Sequence, residues 1–332
     1  MDAFSVQVAD PSHVSACRLA AQRMARELEF DETRAGRLSI AVTEAVTNMV
    51  RHGGGGTLAA RGLAAGAAVG IEVLAIDSGP GMEDFEAHAR DGFSSAGTAG
   101  TGLGAMRRLA DGFDVYTGMG RGTLLRMVFW NREGAVEDPA YEVGVVSVPK
   151  RGETVCGDAW GMALAAGGTT FLVADGLGHG PEASRAASAA VDVLHQHPEY
   201  AAVRLLDATH ARLRPTRGAA VAVMRQEEGA AELSFAGVGN ISGTIIDGAV
   251  RRTTLSHNGI VGHNMHKSQE YRYPWPAGSL LVAHSDGLET HWSLGTHPGL
   301  VECHPSLIAA MLYREHSRER DDVTVLVVRR GR

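Results

Sequence analysis

Apolar residues recur at helical spacing near the start of the chain and again between several short strand-like runs. Residues 12–30 place apolar side chains on one helical face, and Pro11 with Ser12 is a typical helix start. A second amphipathic helix is predicted for 32–51 and ends at the four glycines 53–56. The other elements predicted in this part are strands at 4–9, 57–63, 68–76, 113–117 and 123–130, and helices at 82–90 and 103–111.

From Tyr141 onward the pattern changes to many short apolar runs with few helical stretches. Strands are predicted at 142–148, 158–165, 169–174, 219–226, 231–237, 241–246, 249–255, 279–284 and 323–329, and helices at 181–196, 201–213 and 304–316. Many strands with a few long helices favour packed sheets flanked by helices. The chain is therefore predicted to be a two-domain α/β protein, with domains at 1–131 and 141–332 joined by a polar linker at 132–140.

Composition narrows the class of protein. The 332 residues suffice for two domains, and 44% hydrophobic residues allow both to bury a core. A net charge of −7 argues against a nucleic-acid binder. We expect no membrane association, because no apolar run of about 18 residues occurs and the N-terminus lacks the features of a secretion signal. The three scattered cysteines are typical of free thiols, so a cytoplasmic location is expected.

The first candidate site contains a carboxylate and an amide on one helix. The chain has no GxxxxGK[ST] motif, so a P-loop nucleotide site is excluded. Glu44 and Asn48 are four residues apart on a predicted helix and therefore share one face. Their oxygens can hold Mg²⁺ and orient a water or a hydroxyl group. Such a pair alone is typical of a solvated helix face, so the assignment depends on neighbouring motifs.

Two glycine-rich segments supply those motifs. Asp77 follows an apolar strand, and its carboxylate can accept a hydrogen bond from the amino group of adenine. Gly79 and Gly81 have no side chains, so the turn after Asp77 can approach the base closely. Free N–H groups at the start of the following helix suit phosphate oxygens, and the glycines at that point are Gly100, Gly102 and Gly104. Each motif alone is an ordinary turn or loop. The three in this order predict an ATP site.

Residues 1–130 resemble the GHKL ATPase superfamily, most closely its RsbT/RsbW-type anti-sigma serine kinases. The matching segments are SIAVTEAVTNMVRHGGGG (39–56), AIDSGPGM (75–82), DGFSSAGTAGTGLGAMRRLADGFDV (91–115) and GRGTLLRMVFW (120–130). The resemblance implies a Bergerat-type α/β sandwich in which Glu44 activates the acceptor hydroxyl, Asn48 binds Mg²⁺ and Asp77 recognises adenine. Thr123 is added to the nucleotide-binding set. The implied reaction is transfer of the ATP γ-phosphoryl group to a serine or threonine of a partner protein, mainly by positioning and charge neutralisation.

The second candidate site is a set of aspartates, each beside glycine or another aspartate at the edge of an apolar strand. They are Asp158, Asp175, Asp286 and Asp321. Carboxylates that converge raise one another's pKa, and divalent cations relieve the repulsion. Oxygen ligands suit Mg²⁺ or Mn²⁺, and two such ions about 3.5–4 Å apart can clamp a phosphate for in-line attack. One Asp-Gly pair is usually a turn, so the complete set carries the prediction.

This part of the chain resembles the metal-dependent serine/threonine phosphatases in their SpoIIE/RsbU/RsbX branch, whose fold is an αββα sandwich. The matching segments are KRGETVCGDAW (150–160), FLVADGLGHGPEAS (171–184), FAGVGNISG (235–243), NGIVG (258–262), LVAHSDGLET (281–290) and RDDVTVLVV (320–328). The resemblance implies that Asp158 and Asp175 bridge the metals and that Gly176 lends its carbonyl. It makes Asp286 and Asp321 the remaining ligands, and it places Asp322 in a supporting position.

Several other polar residues receive weaker assignments. The phosphate-binding arginine of the eukaryotic phosphatases has no evident counterpart, and Lys150 and Arg151 are the candidates for that role. His179 is expected to support a turn or the ligands rather than to bind metal. Cys156 is interpreted as a small buried residue, because no Cys-His pair is evident. The remaining histidines of the glycine- and asparagine-rich loop are interpreted as loop residues; they are His257, His263 and His266.

Together these assignments predict a bifunctional partner-switching regulator in a stress or sigma-factor pathway. An ATP- and Mg²⁺-dependent protein kinase is fused to a protein phosphatase that uses two Mn²⁺ or Mg²⁺ ions. The expected partners are STAS-domain antagonists or stressosome-type proteins, with a sigma factor or another switch protein as further options, and a homodimer is left open. In the alternative hypothesis only the phosphatase acts, and the first domain is an ATP-dependent binding or sensing module. The retained Glu44 favours kinase chemistry, and a small-molecule ATPase or a histidine kinase core is less favoured.

Overall fold

The computed structural model describes residues 3–89, 102–135, 140–265 and 267–331. The first elements along the chain are β1 (Ala3–Val8), α1 (His13–Glu27), α2 (Glu32–Arg51), β2 (Gly56–Ala65), β3 (Ala68–Ile76), α3 (Phe85–Ala89), α4 (Gly102–Leu109), β4 (Gly112–Thr117) and β5 (Thr123–Trp130). They are followed by β6 (Tyr141–Val148), β7 (Asp158–Ala165), β8 (Gly168–Gly176), α5 (Pro181–Gln196), α6 (Ala202–Leu213), β9 (Ala219–Glu227), β10 (Glu232–Val238), β11 (Ser242–Asp247), β12 (Val250–Thr253), β13 (Tyr271–Pro274), β14 (Leu280–His284), a short 3-10 helix (Leu300–Glu302), α7 (Pro305–His316) and β15 (Val323–Arg330).

The chain forms two compact units, and each unit consists of two separate segments of the sequence. One unit comprises Met1–Asp138 together with Leu294–Arg314, and the other comprises Pro139–Ser293 and Glu315–Arg332. The segment Leu294–Arg314 therefore packs with the first unit, although it follows most of the second unit in the chain. The predicted linker lies only partly within the described residues, because 136–139 fall outside them.

The first unit contains an antiparallel five-stranded sheet in the order β1-β2-β3-β5-β4. The helices α1 and α2 bury their apolar stripes in one core with this sheet, and Leu38, Val42 and Met49 represent the contribution of α2. The start of α2 is capped by Asp31, whose Oδ1 accepts the N–H of Arg34 at 2.8 Å. This cap and the apolar stripe fix the rotation of α2, and thus the face that carries Glu44 and Asn48.

The second unit contains two five-stranded sheets, in the orders β13-β10-β9-β8-β7 and β12-β11-β14-β15-β6. Large apolar side chains from both sheets form one buried cluster, among them Phe171 and Phe235 of the first sheet and Leu281 and Leu326 of the second. The helices α5 and α6 pack their alanine- and leucine-rich faces against strands of the first of these sheets. These two units confirm the predicted two-domain α/β fold class.

Most predicted helices and strands are present within two or three residues of their predicted ends. Two elements were not predicted, the strand β13 and the short 3-10 helix at Leu300–Glu302. The strand β13 has only four residues, which is too short for its Tyr-Arg-Tyr alternation to be distinctive, and it ends in proline. It forms at the sheet edge by pairing with β10. None of the described helices is both long enough and apolar enough to span a membrane.

Candidate active sites

The first site is formed where the start of α4 approaches the middle of α2. Glu44 and Asn48 are both half-buried on α2. A Cβ atom added to Gly102, the first residue of α4, would lie 2.9 Å from Glu44 Oε2 and 3.6 Å from Asn48 Nδ2. The structure thus brings three of the predicted residues together. Gly104 is buried in the first turn of α4, and Gly100 lies outside the described residues.

Asp77 lies directly after β3, and only one of its two carboxylate oxygens accepts hydrogen bonds from the described residues. Its Oδ1 accepts the backbone N–H of Gly79 at 2.9 Å and that of Thr123 at 3.1 Å. Within the described part of the chain no group donates a hydrogen bond to Oδ2. Burial raises the pKa of Asp77, while the two N–H donors and the charge of Arg314 act in the opposite direction. One carboxylate oxygen is therefore fixed by the protein and the other is available to a ligand.

In the turns beside Asp77, backbone segments approach one another closely. Gly81 has a φ of 68°, and a Cβ atom at this position would lie 2.0 Å from the carbonyl oxygen of Gly118. Thr117 was not identified from the sequence, yet its Oγ1 accepts the N–H of Met82 at 3.0 Å and lies 2.9 Å from the carbonyl oxygen of Gly122, to which it donates. A threonine at a strand end gives no sequence signal for this role. The contact ties the turn after Asp77 to the ends of β4 and β5.

The second site begins at the paired ends of β7 and β8. Asp158 and Asp175 are direct cross-strand partners, so their side chains leave the sheet side by side. Asp158 is buried, and its Oδ2 accepts the hydroxyl of Ser285 at 2.7 Å. Ser285 is itself held in place by the N–H of Thr324 at 2.9 Å. Asp158 Oδ1 is buried and has no hydrogen-bond partner among the described residues.

The remaining aspartates come from the ends of β14 and β15. Asp286 follows β14, and its Oδ2 accepts a hydrogen bond from Asn240 Nδ2 at 2.6 Å. Asp321 is exposed, whereas Asp322 is buried and accepts the N–H of Lys150 at 2.8 Å. Ser285 and Asn240 both lie in segments that match the phosphatase family, but no role was predicted for either residue. Ser285 is hydrogen-bonded to a residue 127 positions away in sequence, and Asn240 to one 46 positions away, so no local pattern reveals these contacts.

The aspartates at this site interact strongly with one another. Burial raises the pKa of Asp175, and the nearby charges of Asp158, Asp286 and Asp321 raise it further. Burial also raises the pKa of Asp158, against the hydrogen bond from Ser285, and it raises the pKa of Asp286. Because like charges oppose ionisation, a bound cation would favour the charged form of these carboxylates.

The donor set matches a hard divalent cation, but it is not a closed cage. Across the described residues, no three His, Cys, Asp or Glu side chains are arranged to hold a metal ion by themselves. Mg²⁺ is usually bound by one or two carboxylates and retains several water ligands, so a closed set of protein ligands is not required. The unsatisfied Asp158 Oδ1 and the mutual repulsion of the aspartates fit such an ion. The residues therefore suit divalent cations whose coordination is completed by water.

The residues with weaker assignments make contacts of several kinds. His179 Nδ1 lies 2.7 Å from Glu153 Oε1 in a loop, and the charge of His179 acts to lower the pKa of Asp322. Burial and the charge of Asp158 raise the pKa of the Cys156 thiol, which therefore stays protonated. Two loop histidines make other contacts: His257 with the hydroxyl of Tyr271 and His263 with the carbonyl of Thr216. His266 lies outside the described residues.

Comparisons with known proteins divide the chain in the same way. Residues 8–129 match the histidine kinase-like ATPase domain, and residues 165–331 match Stage II sporulation protein E (SpoIIE). The serine/threonine-protein kinase RsbT of Bacillus subtilis (strain 168) is 30% identical over 131 residues, which is 40% of this chain and 98% of RsbT.

Two solved structures extend the comparison. A chain from the structure described as "The bacterial stressosome: a modular system that has been adapted to control secondary messenger signaling" is 32% identical with a TM-score of 0.53, covering 57% of this chain and 99% of its own length. RsbX in complex with magnesium has a similar fold at 20% identity and a TM-score of 0.50, covering 58% of this chain and 96% of its own length. The chain therefore belongs to the SpoIIE phosphatase family through residues 165–331 and to the histidine kinase-like ATPases, together with RsbT, through residues 8–129.

Proposed function

We propose that this chain writes and erases phosphate on STAS-domain regulators, through a protein serine/threonine kinase domain and a metal-dependent protein phosphatase domain. The proposal is carried by one observation: a nucleotide-type site and an aspartate cluster occur in the same chain, on the two family folds. The similarity to RsbT, a protein kinase, and to a chain of the stressosome supports a role in partner switching.

In the kinase domain, different residues recognise the adenine base and promote phosphoryl transfer. Asp77 accepts the adenine amino group with Oδ2, because Gly79 and Thr123 hold Oδ1. The start of α4 directs free N–H groups toward the ATP phosphates. Asn48 holds the Mg²⁺ that accompanies ATP, and this ion neutralises phosphate charge when bound. Glu44 accepts the proton of the attacking serine or threonine hydroxyl.

In the phosphatase domain, Asp158, Asp175 and the carbonyl of Gly176 hold a pair of divalent cations with Asp286 and Asp321. Bound cations of this kind stabilise phosphoryl charge and lower the pKa of water. We assign the ligand role to Asp321 rather than Asp322, because the first aspartate of this pair is the ligand in the phosphatase family that the sequence resembles. Asp322 Oδ1 accepts the N–H of Lys150, and its Oδ2 is buried without a hydrogen-bond partner among the described residues. Ser285 orients Asp158, and Asn240 orients Asp286. If both domains acted without control on one serine, the only net reaction would be ATP hydrolysis, so we expect distinct substrates or a gating signal.

The proposal is tested by phosphate transfer to a STAS-domain protein that co-purifies with the chain. The full-length Asp175→Asn variant, incubated with γ-labelled ATP and Mg²⁺, should place label on a serine or threonine of that protein. The wild-type chain with Mn²⁺ should then release the label, and a chelator should stop the release. Absence of label with the co-purified partner would refute the kinase assignment and favour a binding or sensing module. Absence of release would refute the phosphatase assignment.

Replacing Ser285 by alanine should weaken binding of Mn²⁺ by the full-length protein about 10- to 100-fold, since residues that orient metal ligands have effects of this size. The reason is that Asp158 would lose the donor to its Oδ2. Isothermal titration with Mn²⁺ measures the change, and Ser285→Thr, which keeps the hydroxyl, should restore binding. Ser147→Ala is the matched control, because Ser147 contacts Cys156 and Thr324 rather than a carboxylate. Equal affinity in Ser285→Ala and Ser147→Ala would contradict the orienting role.

A further inference from the structure

The segment Leu294–Arg314 belongs to the SpoIIE part of the sequence and yet packs within the unit that contains the nucleotide site. In sequence it lies between Asp286 and Asp321. Its contacts with the first unit are specific polar contacts distributed along its length. They show which part of the nucleotide site this segment supports.

One contact satisfies a fully buried carboxylate. Glu72 of β3 lies between Arg61 and Arg126, each 2.6 Å away, and its Oε1 also accepts the hydroxyl of Ser306 at 2.7 Å. Burial alone would raise the pKa of Glu72, but the two arginines outweigh it and hold the pKa at about 2. Ser306 is buried as well, so it provides a hydrogen bond to a charge that water does not reach.

Other contacts fasten the segment across the same unit. Tyr313 receives a hydrogen bond from Gln7 of β1 at 2.9 Å and lies 3.3 Å from Thr57 Oγ1 of β2. At the other end of the segment, Tyr116 of β4 donates to the carbonyl of Pro298 at 3.3 Å, and Arg121 donates to the carbonyl of Thr296 at 2.9 Å. The segment is therefore held at several points, which limits the movement of α7 between them.

The contact at Arg314 reaches the nucleotide site itself. Arg314 Nη1 donates to the backbone carbonyl of Asp77 at 3.0 Å. It also lies 2.9 Å from the position that a Cβ atom would take at Gly122, where φ is 67°. The next residue, Thr123, accepts the backbone N–H of Asp77 with its carbonyl oxygen and donates its own N–H to the Asp77 carboxylate. The guanidinium thus holds the backbone at Asp77 and lies close to Gly122, and its charge opposes the rise in the pKa of the Asp77 carboxyl.

We propose that Arg314 is a positioning residue of the nucleotide site, which holds the backbone at Asp77 and Gly122 so that the Asp77 carboxylate faces the adenine base. The inference rests on the proposed role of Asp77 in adenine recognition. It means that the ATP site is completed by a residue from the phosphatase part of the sequence. Arg314 acts through Asp77, so its loss should change which base is bound and not only how stable the protein is.

The test compares the dissociation constants of ATP and GTP for full-length variants, by displacement of a fluorescent ATP analogue. Arg314→Met keeps the apolar stem but removes the donor, and it should weaken ATP binding about tenfold, since hydrogen bonds to charged groups contribute at this scale. The preference for ATP over GTP should fall by a similar factor. Arg314→Lys should restore most of both, because its ammonium can donate to the same carbonyl. Tyr313→Phe removes a hydrogen bond of the same segment away from Asp77 and should leave the ATP:GTP ratio unchanged.

Asp77→Asn separates this inference from the proposal beneath it. If Asp77→Asn keeps the preference for ATP, the adenine role of Asp77 is wrong. If Asp77→Asn loses the preference while Arg314→Met retains both wild-type affinity and wild-type preference, the role of Arg314 is wrong. Hydrogen exchange of the wild-type chain provides a second measurement that needs no variant. Saturating ATP, but not GTP, should increase protection of the backbone around Arg314, and unchanged protection would overturn the inference.

Discussion

The double variant Asp158→Ala, Asp286→Ala should lose metal-dependent release of phosphate from a phosphoserine partner by about a thousandfold or more, which corresponds to roughly 4 kcal/mol in the barrier. Asp158 begins β7 of one sheet, Asp286 follows β14 of the other, and the charge of Asp286 acts on Asp158. Removing both deletes two of the four carboxylates that would hold the proposed cations. The measurement is the rate of phosphate release at saturating Mn²⁺.

A matched control separates loss of ligands from loss of negative charge. Asp192 and Asp207 are exposed on α5 and α6, and replacing both by alanine removes the same charge from the same unit. This control should keep wild-type activity, because surface substitutions of this kind usually change the free energy of unfolding by less than about 0.5 kcal/mol. Phosphate release by Asp158→Ala, Asp286→Ala at a rate near that of the control would refute the metal assignment.

The second large effect is expected in the kinase domain. Glu44→Ala should reduce label transfer from ATP to the STAS-domain partner by about 10²- to 10⁴-fold, the range for loss of a general base. Binding of ATP should remain close to wild type, because Glu44 is assigned to the acceptor hydroxyl and Asp77 to the base. Transfer rates are measured in the Asp175→Asn background, and ATP affinity is measured on the same preparations.

Glu32→Ala is the control for Glu44→Ala, since Glu32 is an exposed carboxylate in the first turn of the same helix. Its loss should lower helix stability by only a few tenths of a kcal/mol and leave transfer unchanged. Unaltered transfer in Glu44→Ala would exclude Glu44 as the base. Parallel loss of transfer and of ATP binding would place Glu44 in nucleotide binding instead.

The residues of the two proposed sites come from different parts of the chain. The proposed kinase residues lie on α2, α4 and the end of β3, and the aspartates lie at the ends of β7, β8, β14 and β15. The segment Leu294–Arg314 separates Asp286 from Asp321 in sequence while it packs in the unit that contains Asp77. Reciprocal effects of ATP on Mn²⁺ affinity and of Mn²⁺ on ATP affinity would be equal in free energy.

The local sequence pattern was sufficient to predict those features of the fold and of the sites that depend on residues close together in sequence. Periods of 3.6 and 2 residues predicted the main helices and strands, because side-chain direction repeats with backbone geometry. The same geometry placed Glu44 and Asn48 on one face of α2 and put Asp77 at the end of β3. Asp158 and Asp175 likewise followed from their positions at strand edges, and the structure pairs them directly.

The tertiary structure decided the contacts between residues that are distant in sequence. Ser285 meets Asp158, Ser306 meets Glu72, and Arg314 meets Asp77 across 127, 234 and 237 residues respectively. Each contact depends on how strands are ordered within a sheet and on where a helix packs, and no local period encodes either. The sequence by itself was therefore sufficient to predict the two family folds, and it supplied the candidate residues of both sites. Only the packed chain decided which residues orient the reactive groups, because hydrogen bonds between distant segments exist only once the sheets and helices have assembled.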